Sequence, residues 1–175
     1  MAIRRRRIES LIEDLLDIYA ITEAPVPVEQ IAKAKGARIF YQSLEDDVSG
    51  FLYRDKTQKV IGVNTHHAPV RQNFTTAHEL GHLLLHDQEQ LYIDNAFRVR
   101  LRDDVSSEGT DDDEREANFF AASLLMPRRF LEDDLQDEEY INLLDDDFLS
   151  DLACTYGVST QALVNRLKNL GYMQE

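Results

Sequence analysis

The stretch FTTAHELGHLLLH, residues 74–86, gathers three of the chain's five histidines and a glutamate within nine positions. A chance H-E-x-x-H is expected only about 0.01 times in a chain of this composition, although the buried face of an ordinary amphipathic helix is the plain alternative. On a helix, residues four apart share a face with their Cα atoms about 6 Å apart, so His78 and His82 can converge on one ion at Zn–N distances of about 2.0–2.1 Å. His86 lies on the same face but about 12 Å from His78 along the axis, too far to join both, and is read as structural. The longer metzincin spacing is absent, because Leu85 stands where its glycine belongs.

Glu79 is rotated by about 100° from His78, which puts its carboxylate beside an ion rather than on it. There it can take a proton from a water that zinc has acidified and hand it to the leaving amine. Thr76 and Glu79 also have capping-box spacing, which would tie Glu79 to the backbone. Pro69, well placed as a first helical residue, starts the helix earlier and argues against that.

Two histidines leave a zinc site one protein ligand short, and no third histidine is suitably placed. A carboxylate from another helix is therefore expected, and DEREANFFAASLLMP, residues 113–127, supplies one. Glu114, Ala117, Asn118, Ala121 and Leu125 fall on one face, with Asn118 able to orient a ligand. Ala117 and Ala121, opposite Gly81, would let the two helices approach closely. Glu116 competes with Glu114 but lies about 200° around the helix; only Glu114 shares a face with Asn118. For both, a solvated acidic run is the alternative.

Residues 4–20 carry apolar residues at helical spacing, Val28, Ile31 and Ala32 continue the pattern in a second, shorter helix, and Gly36 suits the C′ position of that helix. ARIFYQ, SGFLYRD and QKVIGVN then switch to period two, which predicts a small sheet. The expected fold is α+β: a small β-sheet with a zincin-like HExxH helix and a ligand helix, flanked by N-terminal and C-terminal helices. The histidine helix is predicted from Pro69 to about His86. Residues 87–112 read as a surface loop with one strand in LYIDNAF.

Pro127 is expected to open a further helix, and residues 132–151 hold ten acidic residues and no basic one. The tail LSDLACTYGVSTQALVNRLKNLGYM reads as helix, glycine-containing turn and helix, resembling a helix-turn-helix. Its second helix offers only Arg166 and Lys168 for phosphates, so helix packing is the favoured role. The expected division is 1–130, a metallopeptidase domain, and 131–175, a C-terminal helical subdomain.

At 175 residues, 43% hydrophobic and 30% charged, the chain has the composition of a globular protein able to bury a core. It has no apolar run of the roughly 18–20 residues that span a bilayer. The N-terminal arginines suggest a signal peptide, but Glu9, Glu13, Asp14 and Asp17 interrupt what would be its apolar region. With a single cysteine, Cys154, a cytoplasmic location is expected. The net charge of −14 repels phosphate backbones, making nucleic acid an unfavourable partner and a basic peptide or protein a better one. Arg4 to Arg7 are read as a solvated helix end.

These residues resemble the ImmA/IrrE-type metallopeptidases, whose hallmark is a sequence like RxxFTxAHELGH followed by ExxANxFAAxLLMP. Here the two appear as Arg71–His82 and Glu114–Pro127, and PVPVEQIAKAKGARI and VIGVN look like the usual lead-in. The resemblance implies His78, His82 and Glu114 as metal ligands, Glu79 as the catalytic glutamate, and Zn2+ as the cofactor, with Mn2+ the alternative. It also implies site-specific cleavage of a helix-turn-helix repressor that controls mobile-element or stress-response genes. A regulatory or antitoxin-like module that sequesters a repressor without cutting it is the alternative. A substrate strand is expected to add along the sheet, at SGFLYRD. Tyr53, Tyr92, His66 and His67 are the candidates for stabilising an oxyanion.

Overall fold

A computed structural model describes residues 4–86, 91–95, 108–135 and 146–172. Two amphipathic helices open the chain. Helix α1 (Arg5–Ile18) buries Ile8, Ile12, Leu15 and Leu16, the stripe expected of a helix packed on one face. Helix α2 (Val28–Ala34) buries Val28, Ile31 and Ala32, and Gly36 follows it at φ +85°, the left-handed conformation that glycine adopts without strain.

Strands β1 (Ala37–Gln42), β2 (Val48–Arg54), β3 (Lys59–Asn64) and β4 (Leu91–Asn95) form one mixed sheet in the order β1-β3-β2-β4. Strand β1 runs parallel to β3, whereas β2 is antiparallel to both β3 and β4. At the β2–β3 turn, the Asp55 carboxylate accepts hydrogen bonds from the Thr57 N–H and hydroxyl and from the Gln58 N–H.

The strand order corrects one expectation. SGFLYRD cannot accept an added substrate strand, because β2 is an inner strand with β3 on one side and β4 on the other. Among the described residues the sheet's edges are β1 and β4. The strand expected in LYIDNAF is present as β4, but residues 108–112, read as the end of a loop, belong to a helix. The rest of that expected loop, residues 87–90 and 96–107, lies outside the described residues.

Helix α3 (Pro69–Leu85) carries the histidines and begins with Pro69 at the expected first position. It packs on β2 and β3 and also along α4 (Glu108–Leu125), which in turn receives α1. Because α3 lies between these layers, its residues from Thr75 to Leu83 are all buried. Helix α5 (Arg128–Asp134) opens directly after Pro127, as expected. Helices α6 (Asp146–Tyr156) and α7 (Thr160–Leu170) follow, joined through Gly157, and the Ser159 hydroxyl caps α7 by accepting from the Ala162 N–H. Of the acidic connection read over 132–151, residues 136–145 lie outside the described residues.

Side-chain hydrogen bonds tie α6 and α7 to earlier elements: Tyr156 to Asp134 of α5, the Asn73 amide to the Gly157 carbonyl, and Arg166 to the Met126 carbonyl. Leu149, Ala153, Tyr156, Leu163 and Leu167 join the same hydrophobic cluster as α1, α3 and α4. The fold is α+β, as the periodicities indicated. Among the described residues no helix is long and apolar enough to cross a membrane.

Candidate metal centre

The histidine helix is held against α4 by small residues. A Cβ placed on Gly81 would lie 3.0 Å from Cδ1 of Phe120 and 3.2 Å from Cα of Ala117, so a larger residue would have to push the helices apart. The close approach inferred from Gly81 and Ala117 is therefore present, and it carries Glu114, one turn before Ala117, to the histidines.

The Nε2 atoms of His78 and His82 lie 3.0 Å apart. Glu114 reaches both, with Oε2 3.3 Å from His78 Nε2 and Oε1 3.2 Å from His82 Nε2. Donors about 2.0–2.1 Å from a common ion at tetrahedral angles stand about 3.3 Å from one another. The observed spacing of 3.0 to 3.3 Å is therefore what one ion's ligand set requires. The three residues form a group that could hold a metal.

The surroundings keep these atoms in ligating form. His78 Nδ1 lies 3.0 Å from Asn118 Oδ1, a hydrogen bond that puts the imidazole proton on Nδ1 and leaves the Nε2 lone pair facing the cluster. Burial, more than any other cause, lowers the pKa of His82 and favours the neutral ring. Burial works the other way on Glu114, but its contacts with His78 and His82 outweigh it and hold its carboxyl well below the usual carboxylate range.

Glu116, the competing carboxylate, is placed elsewhere. Its two oxygens accept from the Arg4 guanidinium at 2.6 to 3.2 Å, and the Arg4 backbone N–H adds a bond of 3.0 Å. These hydrogen bonds lower the pKa of Glu116. Arg4 is thus no solvated helix end; only Arg5, Arg6 and Arg7 are exposed. His86 pairs through Nδ1 with Asp113 Oδ1 at 3.2 Å. His86, Asp113 and Glu116 are also close enough to surround an ion, but Arg4 already supplies the cation there.

Glu79 is wholly buried, on the next position of α3. The capping-box alternative does not form, because the Thr76 hydroxyl donates to the Gln72 carbonyl one turn back. Strand β2 passes close by: a Cβ on Gly50 would lie 2.6 Å from the Gly62 carbonyl oxygen and 3.6 Å from Glu79 Oε1. The sequence offered a signal here that the reading above did not use, since glycine inside a strand marks close backbone approach.

Of the expected oxyanion partners, Tyr53 donates to Asp55 and His66 contacts Ser43 and Asp46, while the Tyr92 side chain lies outside what is described. Neither Tyr53, His66 nor His67 lines the cavity of about 540 Å3 that opens beside His78 and Asn118. That cavity is walled by α3, α4 and α7, with Ser49 of β2 at its side. Residues 32–168 match the family model described as the IrrE N-terminal-like domain, peptidase M78.

The chain belongs to this family.

Membership in the IrrE N-terminal-like family makes the chain a metallopeptidase-like domain and agrees with the ImmA/IrrE-type resemblance of its motifs. A solved structure, a Mycobacterium tuberculosis transcriptional regulator, shares the fold at a TM-score of 0.65 and 19% identity. The match covers 93% of this chain and 46% of the regulator, so the chain spans about half that protein's length. No curated protein sequence matches the chain.

Proposed function

We propose that this IrrE-like chain is a zinc-dependent endopeptidase that cuts a helix-turn-helix repressor in the cytoplasm, switching on mobile-element or stress-response genes. The observation that carries the reading is the 3.0 to 3.3 Å convergence of His78, His82 and Glu114 beside the buried Glu79. A zinc ion on these three residues would supply an acidified water and polarise the scissile carbonyl, with Mn2+ the alternative.

The protein's own groups do the rest. Asn118 holds the His78 ring in one tautomer and orientation. Glu79 takes the proton of the attacking water on a carboxylate oxygen and returns it to the amine nitrogen as the peptide bond breaks. Its complete burial keeps bulk water from competing for that proton. The regulatory setting is supported by the family and by the transcriptional regulator that shares the fold.

The test is to incubate the zinc-loaded protein with the repressor encoded beside its gene and compare it with Glu79→Gln. The wild type should release a discrete pair of fragments, while Glu79→Gln should retain zinc and leave the repressor whole. Equal cleavage by both proteins would rule out the role given to Glu79. Release of intact repressor from its operator by both would favour sequestration without cutting.

A further inference from the structure

Nearly one residue in five of this chain is acidic, 33 of 175, yet none of the fifteen described residues lining the cavity beside His78 is aspartate or glutamate. Two of them are arginines, Arg71 from α3 and Arg166 from α7. Arg71 donates to the Ser49 hydroxyl at 3.0 Å. Arg166 is only 3% exposed, and its Nε donates to the Met126 carbonyl at 3.1 Å. Neither arginine makes a salt bridge to a carboxylate among the described residues.

Besides that carbonyl, the Arg166 guanidinium faces the Phe119 ring at 5.9 Å and feels the negative charge of Glu9 without a direct ion pair, so its burial is only partly offset, because withdrawing a charge from water is costly unless an opposite charge meets it. Burial, the largest influence on it, lowers the pKa of Arg166 to about 10, so the group is still a cation at neutral pH. One of its five N–H donors is used by Met126, and a carboxylate could accept from the others in a forked pair. The rest of the wall suits an extended peptide: Phe74, Ala122 and Val158 are apolar, and Gln161, Asn165 and Asn169 offer carboxamides at successive turns of α7.

We propose that the cavity is a substrate subsite for an aspartate or glutamate side chain, received by Arg166 and Arg71 while the peptide runs past His78. This rests on the endopeptidase reading and adds to it a substrate class. It assigns the helix-turn-helix-like tail to the wall of a peptide cleft: Arg166, one of its two candidate phosphate contacts, is buried there. It also sets two filters in series. The charge of −14 repels acidic proteins at a distance, and the cleft then selects one carboxylate from a neutral or basic partner.

The test measures binding without turnover. Capped, fluorescein-labelled alanine-rich decapeptides carrying one central Glu or Gln are titrated by anisotropy against the full-length Glu79→Gln protein in 0.3 M salt, which suppresses the long-range repulsion. The Glu peptide should bind about tenfold to a hundredfold tighter, as expected for a charge-assisted forked contact. Arg166→Gln and Arg71→Gln should each reduce that preference, whereas Arg166→Lys, which keeps the charge but cannot form the fork, should retain part of it. If Arg166→Gln does not fold, Arg166→Lys and Arg71→Gln decide the matter. Equal binding of the two peptides, no binding by either, or loss of preference in Arg166→Lys to the level of a neutral residue would overturn the proposal. A Glu preference in a protein that cuts no repressor would leave the subsite standing and remove the protease.

Discussion

Replacing Gly81 with alanine sets two effects of similar size against each other. An alanine inside a helix is favoured over glycine by about 1 kcal/mol, so an isolated α3 would gain stability. The new methyl, however, would lie 3.0 Å from Phe120 Cδ1, 3.2 Å from Ala117 Cα and 3.3 Å from the Ala117 carbonyl oxygen. Two of those atoms are backbone, so relief requires α4 to move by a few tenths of an ångström. Overpacking of this kind costs about 1–3 kcal/mol, which outweighs the helical gain. The expected net loss is about 1 kcal/mol, or about 2–4 °C in Tm for a chain of this size. Glu114 lies one turn from Ala117, so the same displacement should widen the donor spacing and weaken zinc binding. Thermal unfolding of the apo-protein and a competitive zinc titration measure the two effects. A rise of about 2–4 °C with unchanged zinc affinity would refute the claim that backbone contact at Gly81 sets the geometry of the centre.

Gly50→Ala should be harsher, because its methyl would meet Thr75 Cγ2 at 2.5 Å and the Gly62 carbonyl oxygen of an inner strand at 2.6 Å; a loss of about 2–3 kcal/mol is expected, read as a drop in Tm. Asn118→Ala should lower zinc affinity about 10–100-fold with the fold intact, since it removes only the acceptor that orients His78. Glu114→Gln and Glu116→Gln should separate cleanly: the first loses zinc with little change in apo stability, while the second keeps zinc and loses about 1 kcal/mol as Arg4 is left without its carboxylate. Full zinc occupancy in Glu114→Gln, measured by metal analysis after dialysis, would show that the third ligand lies elsewhere.

Much of the centre was legible in the sequence because it depends on helical periodicity. His78 and His82 are four residues apart, so any helix places them together, and Gly81, Ala117 and Ala121 announce a close helix pair because small side chains let two helix backbones approach. The helix–turn–helix tail and the α+β class follow from the same local rules. Periodicity is blind to partners far along the chain. Glu114 and Glu116 differ in the sequence only by a rotation about α4, and it is Arg4, 112 residues before Glu116, that engages the latter while Glu114 meets the histidines. That β2 is an inner strand depends on β4 pairing beside it, which no local pattern in SGFLYRD encodes. Arg166, one of only two cations that the sequence offered to phosphates on that helix, is buried beside the cavity because α7 docks at the end of α4. Local spacing therefore determined which residues could form a metal centre, whereas long-range packing decided which carboxylate meets the two histidines and what charge lines the cleft, because burial and ion pairing exist only once distant segments meet.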